Sequence, residues 1–123
     1  MNNRENEYYG GFVFSKNIIL GKPVRFTFRE KSEIPELNGW TLYSCDDDEN
    51  YIADSNNFQI VGVETIKKYA PMLLKIFNAP YGTDLCWLYK GGHLGFVRFV
   101  GFYDLKKDRE TSIKEILGDS NGI

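Results

Sequence analysis

The densest group of chemically capable side chains in this sequence is acidic. Asp46, Asp47, Asp48, Glu49 and Asp54 place five carboxylates within nine residues, with Asn50 among them. Hard cations take oxygen donors of this kind. Asp46, Asp48, Asn50 and Asp54 fall at the first, third, fifth and ninth places of an EF-hand calcium loop. That loop also needs glycine at its sixth place and glutamate at its twelfth, where this chain has Tyr51 and Asn57. No metal site is therefore expected. Turn chemistry selects the same residue types, because Asp and Asn side chains bond nearby backbone N–H groups. The remaining use is as a binding face. Carboxylates steer a basic partner and speed its approach, while aromatic anchors supply affinity. The candidate partner-binding residues are therefore Trp40, Tyr43, Asp46, Asp47, Asp48, Glu49, Tyr51 and Asp54. Trp40 starts a strand, so a place in the core is its other reading.

Nucleophilic chemistry is weakly represented. Cys86 and His93, the sole histidine, lie across an expected Gly91-Gly92-His93 hairpin turn. A dyad also needs an orienting group and a cleft, and none is legible. Cys86 stands between Leu85 and Trp87, where packing would raise its pKa and make it inert. Cys45 and Cys86 both read as buried, reduced thiols, too few for a disulfide framework. Gly91-Gly92-His93-Leu94-Gly95 has neither P-loop nor dinucleotide spacing, and it precedes a strand. Arg25 and Arg29 on one strand face, with Lys16 and Lys22 nearby, make a small basic patch suited to an anion or to solvent. No catalytic residue and no cofactor is assigned.

Charge sharpens the picture. The chain carries 15 basic and 17 acidic residues, a net charge of −2. No Lys or Arg occurs between Lys31 and Lys67, and that gap holds eight acids, so it stands at −8 while the rest stands at +6. Such asymmetry makes a directional field. The acidic total and the lack of a recognised module argue against nucleic-acid binding. No apolar run is long enough for a membrane span, and the start MNNRENEYYGG has no signal-peptide core, so a cytoplasmic location is expected.

The elements that must position these groups are legible in outline. The 123 residues suffice for one self-supporting core. Residues 1–11 read as a flexible N-terminus, 12–118 as a single domain and 119–123 as a loose end. Phe12 to Ser15 and Ile18 to Leu20 read as short strands. Val24 to Arg29 alternates, with Val24, Phe26 and Phe28 expected inward and Arg25, Thr27 and Arg29 outward. Trp40 to Cys45 and Phe58 to Val63 are further strands. Ile66, Tyr69, Ala70, Leu73, Leu74 and Phe77 form the stripe of an amphipathic helix, interrupted by Pro71. Asp84 to Lys90 and Leu94 to Tyr103 make a hairpin. The second of these is apolar on both faces, with Leu94, Phe96, Val100 and Phe102 on one side and Val97, Phe99 and Tyr103 on the other. It suits a central strand or an interface. Asp108 to Leu117 reads as a terminal helix. The expected class is α+β: a mostly antiparallel sheet of five or six strands, a helical segment packed on one face, and a C-terminal helix.

The order Val13-Phe14-Ser15-Lys16, Gly21-Lys22-Pro23-Val24, Phe28-Arg29-Glu30, Gly39-Trp40, Asp46-Asp47-Asp48-Glu49-Asn50-Tyr51 and Asp54 resembles the immunity-protein 33-like family (domain of unknown function 2185). Val63-Glu64-Thr65-Ile66-Lys67-Lys68-Tyr69-Ala70-Pro71 and Ala79-Pro80-Tyr81-Gly82-Thr83 extend the likeness over about residues 12–88. The chain departs from the family pattern at Cys45, where glycine is usual, and at Ala70, where an aspartate precedes the proline. The resemblance implies a small bacterial α+β domain that protects a cell from a toxin, and it supplies no catalytic residues. The reading is a non-enzymatic immunity protein that neutralises a cognate toxin by stoichiometric contact. Its acidic face would suit a basic toxin such as a nuclease. The alternative is a self-associating structural or regulatory protein, a homodimer pairing through the Leu94 to Tyr103 strand.

Overall fold

A computed structural model describes residues 9–91 and 97–106 of the chain. The fold is α+β, built on a six-stranded mixed sheet in the order β4-β1-β3-β2-β5-β6. The strands are β1 (Gly11–Ser15), β2 (Val24–Arg29), β3 (Leu37–Ser44), β4 (Phe58–Val61), β5 (Asp84–Gly91) and β6 (Val97–Asp104). All pairings are antiparallel except β1 with β3. Short helices fill the connections: α1 (Lys16–Ile19), α2 (Glu49–Ala53) and α3 (Val63–Tyr69), with 3-10 turns at Ser55–Asn57 and Pro71–Ile76.

The core lies where aromatic and aliphatic side chains of β1 and β3 meet the segment after β4. Phe12, Phe14, Trp40 and Leu42 are fully buried with Val63, Ile66, Ala70 and Leu73 in one cluster. The ring of Phe77 stands 5.9 Å from that of Phe12, and Tyr69 stands 6.2 Å from Phe14. Pro71 divides the helical stripe for two reasons. It has no N–H to continue α3, and it pushes Ala70 out of helical conformation, to φ −147° and ψ 52°. The 3-10 turn then restarts with Pro71 in its first turn. No side chain caps it, since Ala70 has no acceptor. Tyr9 belongs to this framework as well: its ring packs edge-on against Phe77 at 4.8 Å, and its carbonyl accepts from the Asn38 amide.

Four expectations are corrected. Ile18 to Leu20 is no strand. Ser15 caps a helical turn there, its hydroxyl accepting from the Asn17 N–H, and this local bond outweighs the strand preference of the two isoleucines. The alternation of β2 is inverted after its first residue. The register shifts between Val24 and Phe26, so Thr27 is fully buried and donates to the Thr41 carbonyl, while Phe26 is 39% exposed. A bulge of this kind moves every later side chain to the other face. The last strand is an outer one, with β5 as its neighbour among the described residues. A second bulge, opposite Leu88 and Tyr89, leaves Val100 unpaired and turns Phe99 and Phe102 to the same side, both against Trp87 at 5.1 and 4.9 Å. The cysteines are not both buried either. Cys45 is exposed and Cys86 half-buried, because each stands on, or just beyond, the sheet face that the bulged β2 leaves open. The expected helix at Asp108 to Leu117, the Gly92-His93 turn and the start of the strand at Leu94 lie outside the described residues.

Candidate functional site

The acidic stretch begins where β3 ends, and its carboxylates hold the turn together. Asp47 accepts from the Ser44 N–H (2.8 Å), the Ser44 hydroxyl (2.5 Å) and the Asn17 side-chain amide (2.9 Å). Asp48 is the N-cap of α2 and accepts from the Tyr51 N–H at 2.8 Å. Asp54 caps the following 3-10 turn by accepting from the Asn56 N–H at 2.9 Å. Asp46 pairs with Lys22 at 3.1 Å, and this ammonium holds its carboxyl below the usual range. Glu49, in the first turn of α2, is exposed. The EF-hand-like spacing thus arises from a run of caps and turns. Among the described residues no group of three or more His, Cys, Asp or Glu is placed to hold a metal ion.

The three aromatics divide. Trp40 is 0% exposed and donates its indole N–H to the Phe77 carbonyl at 3.0 Å, so it is core and unavailable as an anchor. Tyr51 is half-buried and acts as a peg. Its hydroxyl accepts from the Ser15 hydroxyl and the Asn17 N–H and donates to the Asn57 carbonyl. It locks α2 onto the β1–α1 junction. Tyr43 is half-buried on β3, and burial first, then the charges of Glu30 and Asp47, raise its phenol pKa.

Tyr43 leads to a feature the sequence reading missed. Its ring lies 5.4 Å from Phe28 and 5.5 Å from Phe58, and Phe58 lies 5.8 Å from Tyr51. These four rings form a chain from β2 through β3 and β4 to α2. Register places Phe26 and Phe28 on one sheet face with Tyr43, Thr41, Val13 and Ile60. Cys86 and Leu88 continue it on β5. This is the face opposite Phe12, Phe14, Trp40 and Leu42, and it is open: Ile60 is 63% exposed and Leu88 37%. Strand alternation was the usable signal, but the bulge at Val24 sent Phe26 and Phe28 to the wrong side.

The basic patch is absorbed into the structure. Arg29 donates to the carbonyls of Asn38, Phe77 and Ala79, each at 2.9 Å, and Arg25 donates to the Trp87 carbonyl at 2.9 Å. Neither guanidinium remains as a plain solvent-facing anion site. Burial pushes the neighbouring Tyr89 phenol up to about 12, its hydroxyl donating to the Val24 carbonyl.

Cys45 offers a direct check on the electrostatics of the turn. Partial desolvation and then the adjacent Asp46 carboxylate, which accepts its S–H at 3.5 Å, raise the thiol pKa. The thiolate is the reactive form. Alkylation of Cys45 near neutral pH is therefore expected to be slow for an exposed cysteine, and Asp46→Asn to accelerate it severalfold. Mass spectrometry of peptides from timed quenches reads both rates. An unchanged rate in the variant would show that Asp46 does not control the thiol.

Comparison with known proteins gives one family result. The model of the immunity protein Imm33 domain matches residues 12–94, which takes in β1 to β5, the acidic turn and the ring chain. No curated protein and no solved structure gave a match.

Proposed function

The chain belongs to the Imm33 immunity protein family, and from that membership we propose that it is a bacterial, cytoplasmic binding protein that neutralises a cognate toxin by stoichiometric contact. The mechanism is occlusion and involves no bond-making step by this chain. One observation carries the reading beyond family kinship: the acidic turn is preorganised. Asp47, Asp48 and Asp54 are each fixed by bonds to backbone N–H groups, and the Tyr51 peg ties the same loop to β1. A surface that is ordered before contact loses little conformational freedom on binding. Asp46, Asp48 and Glu49 present charge on it, Asp47 and Asp54 shape it, and Tyr43 and Tyr51 border it. A basic toxin, such as a nuclease whose groove normally holds phosphates, is the partner this charge suits.

The test has two steps. The tagged chain is used to capture its partner from lysate of its source organism at low salt. The captured protein is then expressed in a sensitive host with and without this chain. A one-to-one complex and restored growth are the expected results. Growth arrest that the chain does not relieve, or relief at far below equimolar amounts, would overturn stoichiometric neutralisation.

The self-associating alternative draws on the outer position of β6, where Val100 is 53% and Tyr103 43% exposed. Its bulge works against strand-to-strand addition. Sedimentation velocity across a concentration series separates the two, since only the alternative requires a dimer.

A further inference from the structure

The open sheet face is a second surface, distinct from the acidic turn at its border. We infer that the Phe28–Tyr43–Phe58 ring chain, with Phe26 and Ile60 beside it, seats the protein partner, which presents arginine or lysine side chains to these rings. The inference deepens the immunity reading and rests on it.

Three observations carry it. The first is exposure of apolar area on a structured element: Ile60 is 63% and Phe26 39% exposed on strands whose other face sends Val61 and Thr27 into the interior. A contiguous apolar patch rimmed by polar groups marks an interaction site more often than bare solvent contact does. The second is ring geometry. Phe28, Tyr43, Phe58 and Tyr51 touch in series at 5.4–5.8 Å, with interplanar angles of 59–68°. Rings held by neighbours lose little freedom on binding, and their faces attract cations. The third is charge. The Glu30 and Asp47 carboxylates both act on Tyr43, the ring that links Phe28 to Phe58. Asp48 and Glu49 extend the negative border beyond β3. Lys90 and Arg98 are paired positions on the β5–β6 hairpin, away from the rings, Arg25 is held by the Trp87 carbonyl beside Cys86, and Lys106 shares a hollow with Phe28 and Glu30 at the β2 border. A cationic partner is complementary to the Tyr43–Phe58 part of the face, nearest the acidic turn.

The probe is an octa-arginine peptide titrated into the full chain and followed by NMR. The expected result is salt-sensitive shifts of the Phe28, Tyr43 and Phe58 rings and of the β2, β3 and β4 amides. These shifts should be lost in Ile60→Lys and kept in Ile34→Lys, a control at an exposed residue of the β2–β3 connection. Against the captured toxin, Ile60→Lys should weaken binding at least ~30-fold, as loss of an interface hot spot does. Shifts confined to Asp46–Glu49, no shifts at all, or ring shifts on self-dilution without peptide would each overturn the inference, the last by making a second copy the occupant. Failure of the immunity reading looks different. There no toxin is relieved by any version of the chain, while the titration still decides what the face binds. Relief that Ile60→Lys and Phe26→Lys retain in full would sink the face alone.

Discussion

Arg29→Met is expected to remove roughly 3–5 kcal/mol of folding stability, because one guanidinium serves three buried-side carbonyls and three rings. Its Nε donates to Asn38 O, and one terminal nitrogen donates to both Phe77 O and Ala79 O. Its centre lies 4.9 Å from the Tyr81 ring, 5.3 Å from Phe77 and 5.8 Å from Trp40. Methionine keeps most of the volume, so the loss isolates the polar bonds from a cavity effect. The Phe77 carbonyl keeps the Trp40 indole N–H, and each carbonyl that is left without a donor costs about 1–3 kcal/mol, less where water reaches it. Since domains of this kind are stable by only about 5–15 kcal/mol in total, the effect takes a large share. Urea denaturation should show a lower midpoint at unchanged slope. Arg29→Lys should recover less than half of the loss, since an ammonium lacks the planar fork that reaches acceptors on both sides. A methionine variant within ~1 kcal/mol of the parent would mean that water replaces the guanidinium, as hydration of freed carbonyls allows.

Gly39→Ala should be almost as damaging for a different reason. Gly39 sits in β3 at φ +93°, and a Cβ there would lie 2.3 Å from the Glu30 carbonyl oxygen and 3.2 Å from the Tyr81 ring. The Glu30 N–H donates to the Gly39 carbonyl at 3.0 Å, so relief of the clash must open the end of the β2–β3 ladder. The left-handed conformation alone costs an L-residue about 1–2 kcal/mol, and the displaced ladder should bring the total to roughly 3 kcal/mol. Gly21 is the control, with φ +106° and nothing within 4 Å of its would-be Cβ. Gly21→Ala should therefore show only the conformational part. Equal losses in the two variants, measured by thermal melting, would show that the Glu30 contact relaxes freely.

Much of this architecture could be read from pattern. The apolar stripe from Ile66 to Phe77 and its break at Pro71 are local facts of spacing and ring closure, and both reappear as α3 and the 3-10 turn. The β2, β3 and β5 strands also lie close to their expected bounds. What pattern misses is any event that adds one residue to one strand. The bulges at Val24 and Val100 depend on a partner strand, and alternation within a single segment carries no trace of them. They account for the inverted Phe26 and Thr27 and for the shared side of Phe99 and Phe102. The candidate site divides in the same way. That Asp46 to Asp54 would form a turn was legible, because the residue types themselves favour caps. That Tyr51 would reach Ser15 and Asn17, or that Trp40 would be spent on Phe77, depends on contacts across more than thirty positions of chain.

The parallel pairing of β1 with β3 also bears on how the chain reaches this state. The β2–β3 and β5–β6 ladders join neighbours in sequence, so their loops close at small entropic cost. β1 has no such neighbour: it inserts between β3 and β4, matching Val13 to Thr41 on one side and to Ile60 on the other. Both contacts span long stretches of chain, and the second closes a loop that includes the acidic turn. Topology of this sort raises contact order and slows assembly. The pairing of β2 with β5, Phe26 to Cys86, spans more chain still, so the strands on either side of the β2–β3 hairpin both join it by long-range closure.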